Sequence, residues 1–243
     1  MWGWPWKLSR GLGKSCLERT EMANWIIIRP KFDDVTEYCF QWAQEIIDIL
    51  KDKGLLVADL GGREVTRAEV EKILDERPEA YVGFWDHGNE DCLWGSKTEK
   101  VFDLNNSDRL AGKEVFTLAC LSAKELGKEV WSKDGTYWGY TDVFSFTTDS
   151  LAEFQQAANC GWHYRFLEGD TPKDALKGAK DTFTELSYKL VDAGKTMAAI
   201  CMRNDRDALV YYNGQKPEDE KPKGCLLALL KLPKLVFSLK GVN

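Results

Sequence analysis

Histidine is almost missing from this sequence. His87 and His163 are the two present in 243 residues, so any imidazole chemistry falls on one of two rings. Paired cysteine spacing is missing altogether. The seven cysteines (16, 39, 92, 120, 160, 201 and 225) are odd in number and scattered, and no C-x-x-C occurs. Together with an opening that lacks a secretory signal and cleavage site, this predicts free thiols in a reducing cytosol rather than a disulfide framework. Basic excess is lacking too. Thirty-three Lys and Arg stand against thirty-nine Asp and Glu, a net charge of −6. That argues against a general nucleic-acid binder, though not against a local basic patch. No G-x-G-x-x-G or phosphate loop appears, which speaks against nucleotide binding in either of those modes. No internal repeat is visible, and no apolar run is long and uncharged enough to span a membrane.

What is present suits one large domain with a substantial core. Trp25 to Ile28 reads as a buried strand, VTEYCFQWAQEIIDILKDKG as a helix stopped at Gly54, and LLVADL as a second strand. TRAEVEKILDERP opens with a Thr-x-x-Glu capping pattern and ends at Pro78. AYVGFW and EVFTLAC follow as strands three and four, and TYWGYTDVFSF as a fifth strand with its exit. Two helices come next, SLAEFQQAANCGWHYRFLEG and TPKDALKGAKDTFTELSYKLVDAG, the second with Thr171 as N-cap and Pro172 at the first helical position. TMAAICMR is expected as strand six and ALVYYNG as a hairpin partner. Alternation of this kind predicts βαβ crossovers: an α/β fold with a mainly parallel six-stranded sheet and helices on both faces. The expected boundaries are an N-terminal extension over 1–21, a domain over 22–214, and a linker with an apolar tail over 215–243. The extension carries three of the ten tryptophans, in MWGWPW, and reads as an appendage or as a docking arm for a partner. The tail, CLLALLKLPKLVFSLKGVN, is broken by Pro233. It suits an edge strand or flap on the core, or a partner-binding or membrane-surface segment.

In a doubly wound sheet, chemistry collects at the carboxyl ends of the strands. His87 lies just beyond the third strand and Cys120 just beyond the fourth, so neighbouring strands deliver both to one edge. A thiol is mostly protonated at neutral pH. An imidazole beside it can accept that proton and later return it to a leaving amine. The developing oxyanion requires N–H donors. Gly88, which has no Cβ, lets a carbonyl oxygen approach its amide, and the Cys120 amide is the natural second donor. Each residue has a plainer explanation as well: a structural histidine at a strand end, and a cysteine buried as a small hydrophobe.

Apolar strand then His-Gly, followed by apolar strand then Ala-Cys, resembles the caspase-like cysteine peptidases (clan CD), which include caspases, legumain, gingipains, separase and the bacterial CHAT proteases. WGYTDVFSF and EGDTPKDALKGAKDTF are similar to the segment after the nucleophile in the CHAT and gingipain-like branch. The likeness runs from about Asn24 to Gly214. It implies a three-layer caspase-hemoglobinase-like fold and a cysteine endopeptidase acting on a protein or peptide substrate. Cys120 is then the nucleophile, His87 the general base and acid, and Gly88 with Cys120 the oxyanion donors; no metal or other cofactor is implied. The caspase Gln-Ala-Cys-x-Gly is absent, TLACLSA standing in its place, which puts aspartate specificity in doubt. In this family the first substrate side chain is read beside the strand after the nucleophile, here Tyr137 to Phe146. That makes Tyr140 and Asp142 the candidate substrate-binding residues, Asp142 for a lysine or arginine, although a turn aspartate is the plainer explanation. By analogy, prokaryotic members act as regulated effectors, so a separate activating partner is expected.

Three other classes compete. Cys160-Gly-Trp-His163 has C-x-x-H spacing, and with His87 and Cys92 it forms a zinc set for a structural protein. A caspase-like module that binds without cleaving is the second, and a small-molecule thiol hydrolase the third.

Overall fold

The computed structural model describes residues 24–213, together with the backbone of 236–238. The expected extension over 1–21, and the tail apart from Val236–Ser238, lie outside the described residues. Strand β1 (Trp25–Arg29) leads into helices α1 (Asp34–Trp42) and α2 (Gln44–Asp52), then strand β2 (Leu56–Gly61) and helix α3 (Arg67–Glu76). After β3 (Tyr81–Trp85) come three short strands, β4 (Gly88–Asn89), β5 (Cys92–Trp94) and β6 (Lys100–Asp103). The chain continues through β7 (Glu114–Leu118), α4 (Leu126–Ser132), β8 (Thr136–Tyr140), β9 (Ser145–Thr147), α5 (Leu151–Trp162) and a wide π-type turn, His163–Leu167. Helices α6 (Pro172–Asp192) and α7 (Thr196–Ala208), then β10 (Leu209–Tyr212) and β11 (Val236–Ser238), complete the order.

The main sheet has the order β10-β8-β7-β3-β1-β2. All its pairings are parallel except β10 on β8, which is antiparallel. It is covered on both sides, and β1 shows why the strands read as near-continuous apolar runs. Trp25 and Ile27 enter one core with α1, α2, α5, α6 and α7. Ile26 and Ile28 enter the other with α3, α4 and the β4–β6 sheet. A period of two thus serves two cores at once.

Three expectations are corrected. TMAAICMR is the start of helix α7, whose buried residues, Ala198, Ala199, Cys201, Met202, Asp205 and Ala208, recur at three- and four-residue spacing. The sixth strand is Leu209–Tyr212 instead. The long first helix is two, joined at Ala43. The TYWGYTDVFSF segment is also two elements, because after Tyr140 the chain leaves the sheet, and β9 pairs with β11 in a separate ribbon.

Helix α5 lies so close to the sheet that a Cβ on Gly161 would meet Trp138 Cζ2 at 2.0 Å. Gly161→Ala is therefore expected to destabilise by about 1–3 kcal/mol through overpacking. Thermal unfolding should report it as a Tm lowered by roughly 2–4 °C per kcal/mol; an unchanged Tm contradicts this packing.

Candidate active site

Strand register brings the sequence-predicted pair to one edge. Trp85 of β3 is opposite Leu118 of β7, so His87 and Cys120 each stand two residues beyond a matched position. The Asp86 amide donates to the Leu118 carbonyl at 3.2 Å, extending the pairing past the strand end. Gly88 fits against the backbone of Cys120. A Cβ there would come within 2.9 Å of both the Cys120 carbonyl oxygen and Ala119 Cβ, so only glycine permits this approach. The Trp94 amide donates to the His87 carbonyl at 3.1 Å. By the alternation of an antiparallel ladder, the next pair, Gly88 with Leu93, has its N–H and C=O directed away from the ladder.

A third residue, absent from the sequence reading, joins this edge from β1. Asp33 caps α1: its Oδ1 accepts from the amides of Val35 and Thr36. Its other oxygen, Oδ2, lies 2.8 Å from His87 Nε2. The Asp33 carboxyl is half-buried, and that burial works against its charge. Hydrogen bonds from His87 and from the Thr36 amide outweigh it and hold the group down at about 2. An ionised carboxylate can only accept, so Nε2 carries the proton. In the neutral ring Nδ1 then holds the lone pair, and that nitrogen is buried without a hydrogen-bond partner among the described residues. Asp33 thereby sets the tautomer of His87 and presents the basic nitrogen. The sequence did carry half of this signal, because FDDVT announces an N-cap; the partner fifty-four residues away leaves no local trace.

Cys120 is fully buried. Its Sγ accepts from the Phe144 amide at 3.2 Å and donates to the Phe144 carbonyl at 3.6 Å. Leu121, the next residue, has φ of 61°, a left-handed conformation that is strained for a non-glycine side chain. Its amide is held by the Asp142 carbonyl at 3.1 Å. Along the strand order β1, β3, β7, β8 the edge thus presents Asp33, His87, Cys120 and the 141–144 segment side by side.

Of the expected substrate-binding residues, Asp142 is exposed, beside the turn after Cys120. Its Oδ1 accepts from the Val143 amide at 2.7 Å. Tyr140 is placed differently from expectation. It is 1% exposed and packs edge-on against Phe144 at 5.1 Å, within the core rather than on a surface that substrate reaches. Asp86, directly before His87, is buried as well. One of its oxygens accepts from the His87 amide and the other has no partner among the described residues. Burial raises its pKa well above the usual carboxylate range.

The residues of the zinc set have other partners. Cys160 donates to the Ala157 carbonyl, His163 pairs with Glu45 at 3.1 Å, and His87 pairs with Asp33. Cys92 pairs through its backbone within the small sheet. Among the described residues no group of three or more His, Cys, Asp or Glu is arranged to hold a metal ion. None of the described helices is long and apolar enough to cross a membrane. No family model matches the sequence, and no curated protein matches it.

Proposed function

We propose that this chain is a cysteine endopeptidase of caspase-like, three-layer architecture that acts on a protein or peptide substrate in the cytosol. One observation carries the reading: Asp33 fixes Nε2 of His87 on the strand edge shared with Cys120, leaving Nδ1 as the base. In the reaction, Cys120 Sγ gives its proton to Nδ1, and the sulfur forms a bond to the scissile carbonyl carbon. The oxyanion is received by the amides of Gly88 and Cys120. The intermediate collapses with breakage of the C–N bond, and the amine leaves with the proton from His87. Water, deprotonated by the same nitrogen, then hydrolyses the thioester.

The Phe144 contacts favour regulation. A sulfur engaged by both backbone groups of Phe144 is withheld from substrate until the 141–144 segment shifts, and an activating protein partner is the proposed cause. The same burial also favours a second reading, a caspase-like module that binds and does not cleave. Profiling with a positional peptide library, in wild type and Cys120→Ala, separates the two. Cleavage restricted to wild type supports the peptidase, and identical behaviour of both proteins toward peptides and partners supports the binding module.

A further inference from the structure

Strand β9 has one strand partner among the described residues, the tail strand β11, and the two form a ribbon apart from the main sheet. The pairing is antiparallel, with Val236 opposite Thr147, Phe237 opposite Phe146 and Ser238 opposite Ser145. In such a ladder, pairs that exchange hydrogen bonds alternate with pairs that do not. The Ser145 amide donates to Asp205 Oδ1 at 2.9 Å, so it faces away from β11, and Phe146 with Phe237 is the pair that exchanges bonds. Phe144, two residues earlier in the chain, stands at the same phase as Phe146. Its N–H and C=O meet the Cys120 sulfur at 3.2 and 3.6 Å. The sulfur and the tail strand therefore share one edge of the 144–147 segment.

Direction matters as well. Strand β11 runs from Thr147 toward Ser145, so its C-terminal end points to the contact between Phe144 and Cys120. An extended peptide laid in that place and polarity pairs the residues before its scissile bond with β9 and directs its next carbonyl to the sulfur. Main-chain pairing at an open sheet edge is a general mode of peptide recognition. A strand supplied by the same chain competes for that edge at an effective concentration on the order of 1 mM.

We propose that the β9 edge receives the backbone of an extended peptide substrate, and that β11, residues 236–238 of the chain itself, fills this edge as a built-in competitor. The role of Cys120 in this assignment rests on the peptidase reading, whereas the exchange of strands requires no catalysis. An incoming peptide displaces β11 before it pairs with Phe146.

Phe237→Pro in the full chain is the test. Proline removes the N–H that Phe237 directs at β9. Ser238→Pro is the control, because it removes an N–H that faces away, where an edge strand tolerates proline. The probe is a fluorescein-labelled peptide KLVFSLK, the sequence of residues 234–240. It is titrated by fluorescence anisotropy into proteins that also carry Cys120→Ala, so that no turnover intervenes. Phe237→Pro is expected to bind it saturably and at least tenfold more tightly than the chain with its own strand intact, and Ser238→Pro to resemble that chain. With Cys120 present, Phe237→Pro is expected to raise the rate of its capture by a peptidyl acyloxymethyl ketone at least tenfold. Hydrogen exchange needs no variant: the Phe146 amide of wild type is expected to be protected. Free exchange at Phe146, equal peptide binding with and without Phe237→Pro, equal release by both prolines, or capture of Cys120 at an unchanged rate would each overturn the assignment. Tight peptide binding by Phe237→Pro with no ketone capture in any protein would uphold β9 as a strand acceptor and count against the peptidase reading instead.

Discussion

Replacing Cys120 by alanine is expected to reduce peptide hydrolysis to background, a fall of up to about six orders of magnitude when nucleophile and base act as a unit. The same principle predicts non-additivity. His87→Ala alone should cost nearly as much as Cys120→Ala, and the double variant little more than either. Folding tells the opposite story. Cys120 sits in a core with Phe144 and Tyr140, and losing one buried sulfur is worth roughly 1 kcal/mol, a few degrees in Tm. Activity assays on the purified variants beside their melting curves provide the check. Retention of appreciable wild-type turnover by Cys120→Ala would remove the nucleophile from the account, as would strictly multiplicative effects of the two substitutions.

Asp33→Asn is expected to lower kcat by about two to four orders of magnitude while leaving the fold nearly untouched. The two functions of this residue separate cleanly. An asparagine oxygen caps α1 as well as an aspartate does, so the bonds to Val35 and Thr36 survive. Its amide nitrogen, however, turns a donor toward His87 Nε2. That ring nitrogen must then accept, the proton moves to Nδ1, and the base is lost; in a serine-protease triad the matching change is worth about 10⁴. Asp33→Ala forfeits the cap as well, and should lower stability by a further ~1 kcal/mol. The pH dependence has a definite sign. The folded carboxyl is depressed to about 2 from an ordinary 3.8, so its contribution to stability is present above pH ~4 and disappears as pH falls through ~2. The stability difference between wild type and Asp33→Asn is accordingly expected to be constant from pH 5 to 8 and to vanish near pH 2. Equal kcat in Asp33→Asn and wild type, measured at saturating substrate, would reduce Asp33 to a helix cap.

The sheet was legible because strands buried on both faces are written as apolar runs, and because Thr66, Pro78, Thr171 and Pro172 punctuate the helices between them. The placement of His87 and Cys120 followed from the same alternation, since adjacent parallel strands share an edge. What escaped is short or distant. TMAAICMR was open to either period, and the buried positions that settle it, Asp205 and Ala208, lie beyond the apolar cluster. Strands β4, β5 and β6 run to 2, 3 and 4 residues, too few for a period to register. Asp86 broke the rule that carboxylates stay wet. The contact between Asp33 and His87 arises only when β1 is laid beside β3, so no window of sequence contains it.

The central claim is that His87 draws the proton from the sulfur of Cys120 for attack on a peptide carbonyl. Covalent capture tests it most directly. Wild type and His87→Ala are incubated with peptidyl acyloxymethyl ketones of varied first residue, and the adducts are located by mass spectrometry of the digested chains. One adduct is expected, on Cys120 among the seven cysteines, formed by wild type and suppressed in His87→Ala. Capture at another cysteine, or equal capture of Cys120 in both proteins, would contradict it.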